Sequence, residues 1–181
     1  HKTLSLLTYQ AGHAIVWRDA ICDWFYKISG IPDAGGRVGH HPNRIEAESM
    51  RLTGYIPVDV TPWETSSGGK AVACGETIGC SAETTLDRAA GWYNLAFQYF
   101  DPDRGLPHFK VFVNDQSVGA WSADLHLPSQ ALNGSTSTRY DLSGIALRPG
   151  DVLKIAGRGE GGNPAALDYV EIVPQTPEAS R

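Results

Sequence analysis

At 181 residues the chain is long enough for one good-sized domain with an appendage and too short for a large catalytic barrel with its loops. Its 41% apolar and 19% charged residues are those of a globular chain, and 20 glycines with 11 prolines favour many short turns over long helices. A net charge of -5 without a basic cluster argues against nucleic acid as a partner, and no apolar run approaches the roughly 18 residues of a membrane span.

Residues 1–30 differ from everything after them. Leu7, Ala11, Ala14, Trp17, Ile21, Trp24 and Ile28 recur at intervals of three and four, the stripe of one long amphipathic helix. Gly30 and Pro32 end it, and Asp23 with Lys27 forms an i,i+4 pair on its outer side. Cys22, inside the stripe, reads as a small buried hydrophobe. Residues 31–43, IPDAGGRVGHHPN, have no periodicity and read as a linker, and His40 and His41 lack a third partner at metal spacing.

From residue 44 the period changes to two. RIEAESM reads as an opening strand that puts Glu46 and Glu48 on one face, either as a solvated edge or around a cation. GYIPVDV and GKAVAC follow; then CGETIGC brackets a glycine-containing turn, so Cys74 and Cys80 can close a local disulfide, which points to an oxidising compartment. YNLAFQYF puts Tyr93, Leu95, Phe97 and Tyr99 on one face, and HFKVFVN does the same with Phe109, Val111 and Val113. With AETTLD, SVGAWSA, TRYDLSGIAL, DVLKIAG and LDYVEIV, about ten short runs are separated by turns such as VNDQS and RPGD. The expected fold is an all-β antiparallel sandwich, a two-sheet jelly roll over 44–174, preceded by the helix and followed by a tail at 175–181.

No G-x-S-x-G, H-E-x-x-H or P-loop is present, and no cysteine has an obvious histidine context. Asp101 with Asp103, or Glu160 with Asp168, would do glycosidic acid/base work only if they faced each other across a groove, and each reads better as a turn residue or metal ligand. A hard cation has better support. Glu46 and Glu48 offer two carboxylates, Asp168 opens the last strand at the sandwich edge, and SSGGKAV adds carbonyl oxygens where no side chain blocks approach.

IEAESM, SSGGKAV, GWYNLAFQYFD, VFVNDQSVG and ALDYVEIV together resemble carbohydrate-binding modules of families 6 and 35, over residues 44–174. That resemblance implies a jelly roll with a structural Ca²⁺ held by Glu46, Glu48 and Asp168. YQAGHAIVWRDAICDWFYKISGIPDAGGRVG is similar to the extreme C-terminal end of glycoside hydrolase family 67, the α-glucuronidases that remove glucuronic acid or its 4-O-methyl form from xylan. Trp17-Arg18-Asp19 and Ser29-Gly30-Ile31-Pro32-Asp33 carry that likeness. The family's catalytic carboxylates lie upstream in a barrel, and nothing here corresponds to them.

The two resemblances together imply a secreted, noncatalytic module that recognises xylan-type or glucuronic-acid-containing plant cell wall polysaccharide and is attached to the catalytic part of an α-glucuronidase. By position, Asn163 is the polar candidate for sugar contact, Tyr55 and Trp63 are the aromatic ones, and Arg158 suits a uronic carboxylate. The loop SADLHLPSQALNGSTST lacks the tryptophan that family 6 members often carry there; only His126 offers a ring. The alternative is a structural or dimerisation domain of the enzyme with no sugar binding of its own.

Overall fold

The computed structural model describes residues 41–61 and 66–175. The expected helix over 1–30, most of the linker, Trp63 and the 176–181 end of the tail lie outside them. Eleven strands run through the described residues: β1 (Arg44–Glu46), β2 (Arg51–Thr53), β3 (Ile56–Asp59), β4 (Lys70–Cys74), β5 (Cys80–Thr85), β6 (Gly91–Phe100), β7 (His108–Val113), β8 (Gln116–Ser122), β9 (Ser137–Leu147), β10 (Val152–Arg158) and β11 (Ala165–Pro174). They form two antiparallel sheets. One has the order β3-β4-β11-β6-β9 with β1 added on β11; the other is β2-β5-β10-β7-β8.

Alternation built the core. Leu95, Phe97 and Tyr99 of β6 and Leu167, Val170 and Ile172 of β11 meet Phe109, Val111, Leu153 and Ile155 of the facing sheet, all at most 4% exposed. Each such side chain contributes about 1.5–3 kcal/mol on burial. Trp121 stacks between Phe109 (centroids 4.8 Å, 9° between planes) and Tyr140 (4.4 Å, 15°). A smaller cluster of Val60, Ala71, Ala73, Phe100 and Ala166 lies apart from this core, so β6 is buried on both faces toward its end.

The opening segment departs from the expected strand. Only Arg44–Glu46 pairs with β11, and Ala47–Ser49 is a 3-10 turn, with the Met50 amide donating to the Ala47 carbonyl (3.1 Å) and Ser49 Oγ to the Glu46 carbonyl (2.7 Å). The reason is packing. Ala47 (0% exposed) and Met50 (6%) both enter the core, a spacing of three that a strand cannot bury on one side, and the turn carries the chain from one sheet to the other. Glu46 and Glu48 therefore do not share a strand face. A second local surprise is in β11, where the register against β6 shifts between Leu167 and Tyr169, making Asp168 the extra residue of a bulge.

Candidate functional site

Three elements meet at Asp168. Strand β4 pairs with β11 up to Leu167, and β1 takes over the same edge from Tyr169, which faces Glu46; Asp168 sits in the gap. The 3-10 turn Ser67–Gly69 closes that gap. The Ser67 amide donates to both carboxylate oxygens of Asp168 (3.1 Å each), and Ser67 Oγ donates to Glu46 Oε1 (2.6 Å). Glu48 reaches the same turn: a Cβ on Gly68 would lie 3.7 Å from Glu48 Oε1, and Gly68 itself takes φ +60°.

The three carboxylates thus converge on one turn. Burial pushes the Asp168 carboxyl well above the usual carboxylate range, helped by the charges of Glu46 and Glu48 and opposed by the Ser67 amide and Arg44. Burial also raises Glu46, against its bond from Ser67. Glu46 Oε2 and Glu48 Oε2 are buried without a hydrogen-bond partner. Hard oxygen donors, two of them orphaned, suit a cation such as Ca²⁺ in their chemistry. Their spacing is looser than a finished cage: among the described residues no three His, Cys, Asp or Glu side chains stand at metal-ligand distances, although the three feel one another's charge. Arg44 supplies a positive charge to the cluster, its guanidinium 4.0 Å from the Tyr169 ring centroid and Nη1 donating to Ser67 Oγ (3.1 Å). Sequence reasoning passed over Arg44 because its neighbours are set by strand pairing, not spacing.

The residues expected at a sugar site separate. Asn163 is 5% exposed and donates its amide to the Arg104 carbonyl, pinning the 160–163 turn to the 101–107 loop. There the two segments approach so closely that a Cβ on Gly105 would strike the Glu160 carbonyl and one on Gly161 the Gly105 Cα. Tyr55 is 4% exposed, packed against Gly157 in the core, so its ring offers no stacking surface. His126 is exposed, with φ +50°. Neither carboxylate pair faces across a groove as an acid/base couple would. Asp101 is fully buried and accepts the Leu125 amide (2.9 Å) while Asp103 is exposed beside Arg104; Glu160 is exposed and paired with His108 (2.9 Å) while Asp168 is fully buried.

Arg158 is exposed. It borders a groove of about 490 Å³ on the outer face of the five-stranded sheet, with His108, Lys110, Ala120, Ser122 and Ala156. Alternation in HFKVFV and VLKIAGR carried the signal for His108, Lys110 and Ala156: with Phe109, Val111, Leu153 and Ile155 inward, these three, Lys154 and Arg158 must face out. One wall carries Gly79 and Cys80. Cys74 and Cys80 are joined in a disulfide with a Cα–Cα distance of 5.9 Å.

Residues 1–38 match the model of the glycosyl hydrolase family 67 C-terminus. The chain is 48% identical over 176 residues, 93% of its length, to a probable α-glucuronidase A of Aspergillus terreus. It is 45% identical over 178 residues, 94% of its length, to α-glucuronidase A of Aspergillus tubingensis. It covers 21% of each of these proteins, so it spans about a fifth of the length of the curated relatives it matches. Among solved structures, a family 35 carbohydrate binding module from Clostridium thermocellum superposes with a TM-score of 0.53 at 19% identity, over 73% of this chain and 98% of that one. This chain therefore joins a segment matching the C-terminus of glycoside hydrolase family 67 to a sandwich with the fold of a family 35 module, and is homologous over most of its length to part of the α-glucuronidases.

Proposed function

We propose that the chain is the noncatalytic carbohydrate-binding module of a xylan α-glucuronidase, holding xylan-type or glucuronic-acid-containing plant cell wall polysaccharide close to the catalytic part of the same protein, outside the cell. The observation that carries the reading is the extent of the α-glucuronidase likeness: it covers 93% of the chain, far beyond the family 67 segment at 1–38, and so takes in most of a sandwich that has the fold of a carbohydrate-binding module. Such a module raises the effective concentration of polymer at the catalytic part by making the second encounter intramolecular.

A structural Ca²⁺ belongs to the proposal. Glu46, Glu48 and Asp168 would hold it with carbonyl oxygens of the Ser67–Gly69 turn, and it would neutralise the buried Asp168 together with the two half-buried glutamates. Its part is to tie β1, β4 and β11 to one another, away from the groove.

Titration of the chain with glucuronoxylan oligosaccharides tests the reading: heat or chemical-shift change at millimolar ligand supports it, and silence at that concentration removes it. The burial of Asn163 and Tyr55 favours the alternative, a domain that stabilises or dimerises the enzyme without touching sugar. A sugar-silent chain that self-associates in sedimentation would establish that second reading.

A further inference from the structure

We propose, resting on the module reading above, that the groove on the outer face of the five-stranded sheet is an acidic-sugar site in which Arg158 and Lys110 hold a uronic carboxylate over a floor of Ala120 and Ala156. Antiparallel register puts Arg158 opposite His108, Ala156 opposite Lys110, and Lys110 opposite Ala120. Arg158 and Lys110 are therefore diagonal neighbours, roughly 7–8 Å apart, flanking a short alanine methyl instead of another long side chain.

Charge separates these two cations from their neighbours. On the same face Arg51 pairs with Glu83 and Lys154 with Asp115, and His108 pairs with Glu160 at the groove rim. Lys110 and Arg158 enter none of the ion pairs among the described residues, although the chain carries net charge -5. Lys110 Nζ lies 5.2 Å from the Phe112 ring centroid, which keeps it along the sheet. Arg158 donates Nε to the Glu76 carbonyl (3.4 Å), leaving both terminal amino groups of its fork for a carboxylate.

The fork is positioned from behind. Glu76 belongs to the loop closed by the Cys74–Cys80 disulfide, its carboxylate accepts the Gly162 amide, and the Gly159 amide donates to the Gly75 carbonyl (3.0 Å). Arg158 therefore rests on a cross-linked loop fastened to the following turn. A volume of about 490 Å³ is that of a small-ligand cleft, and the alanine floor admits the C–H face of a pyranose ring. Ser122 Oγ stands at its edge as a partner for ring hydroxyls, placed by His108, whose two ring nitrogens are held by Ser122 Oγ (2.9 Å) and Glu160 (2.9 Å).

The test uses the full 181-residue chain, titrated with glucuronic acid, glucuronoxylan oligosaccharides and neutral xylo-oligosaccharides, read by calorimetry and by amide chemical shifts. The expected result is uronate-dependent shifts centred on Lys110, Ala120, Ala156 and Arg158. Arg158→Gln and Lys110→Met should each weaken uronate binding by about tenfold or more, the loss of one charge-assisted contact, without moving the melting temperature. Lys154→Met, on the same face but already paired, should leave affinity within about twofold. Glucuronoxylan binding that survives both groove substitutions, or shifts that map elsewhere, overturns the site and leaves the module reading standing. No sugar binding by the unaltered chain removes both. Loss of association with the parent's catalytic part in Arg158→Gln, with sugar binding intact, would make the groove a protein-docking surface and overturn it equally.

Discussion

Removing divalent cations should weaken this sandwich at the junction of β1, β4 and β11, and the structure sets the size of the effect. Glu46 Oε2 and Glu48 Oε2 are buried without partners, and each such oxygen costs about 1–3 kcal/mol, so a cation that satisfies both has about 2–6 kcal/mol to recover. Mass action gives a compatible figure: a site of about 1 μM affinity at about 1 mM calcium stabilises the native state by about 4 kcal/mol. For a domain of this length that is a fall in melting temperature on the order of 10–20 °C with excess chelator, measured by differential scanning calorimetry. Glu48→Gln should abolish most of the calcium dependence while leaving the sheet content unchanged by circular dichroism. The pH profile supplies the sign. Burial holds Glu46 and Asp168 above the ordinary carboxylate range, so the chelated native state keeps protons that the unfolded chain gives up. Its stability is greatest below the ordinary range and falls as pH rises toward the raised values. Calcium, which needs ionised carboxylates, should flatten that fall. An unchanged melting curve in chelator, with a gain on Glu48→Gln, would refute the reasoning and leave Arg44 as the cluster's compensating charge.

Two further perturbations probe the frame that carries the groove. Reduction of Cys74–Cys80, which are six residues apart, should cost about 2–3 kcal/mol from the short loop it closes and leave the domain folded; free thiols at both positions in unreduced, alkylated protein, seen by mass spectrometry, would refute the bridge. Trp121→Ala removes the ring stacked between Phe109 and Tyr140 and should destabilise by about 3–5 kcal/mol in urea unfolding; a cost below about 1 kcal/mol would mean that the stack is not part of the cooperative core.

Much of the candidate site was legible in part. Glu46, Glu48 and Asp168 stood out as carboxylates near the two ends of the sandwich sequence, and the structure gathers them on one turn, but by a route that strand periodicity does not contain. The 3-10 turn at Ala47–Ser49 exists because Ala47 and Met50 are both buried, and the Asp168 bulge exists because one strand edge passes from β4 to β1 there. Both are consequences of partners far away in the chain. Position along the sequence points to Asn163 and Tyr55; burial, which depends on what packs over a residue, removes their side chains from the surface.

The sequence by itself determined most of the strands and their inward faces, because alternation along Leu95, Phe97 and Tyr99 or Phe109, Val111 and Val113 marks one side of each strand as the side that leaves water; the second buried face at the end of β6, with Ala96, Gln98 and Phe100, is not written in that alternation. It determined that Cys74 and Cys80 were close enough to bridge, a matter of six residues and a turn. Only the tertiary structure decided which outward residues stand together. Arg158 and Lys110 are 48 positions apart by their numbers and become neighbours through the register of β7 on β10. That register is set by the burial of Phe109, Val111, Leu153 and Ile155 on the opposite face, and of these four Phe109 alone also borders the groove; the groove is assembled largely from behind the sheet.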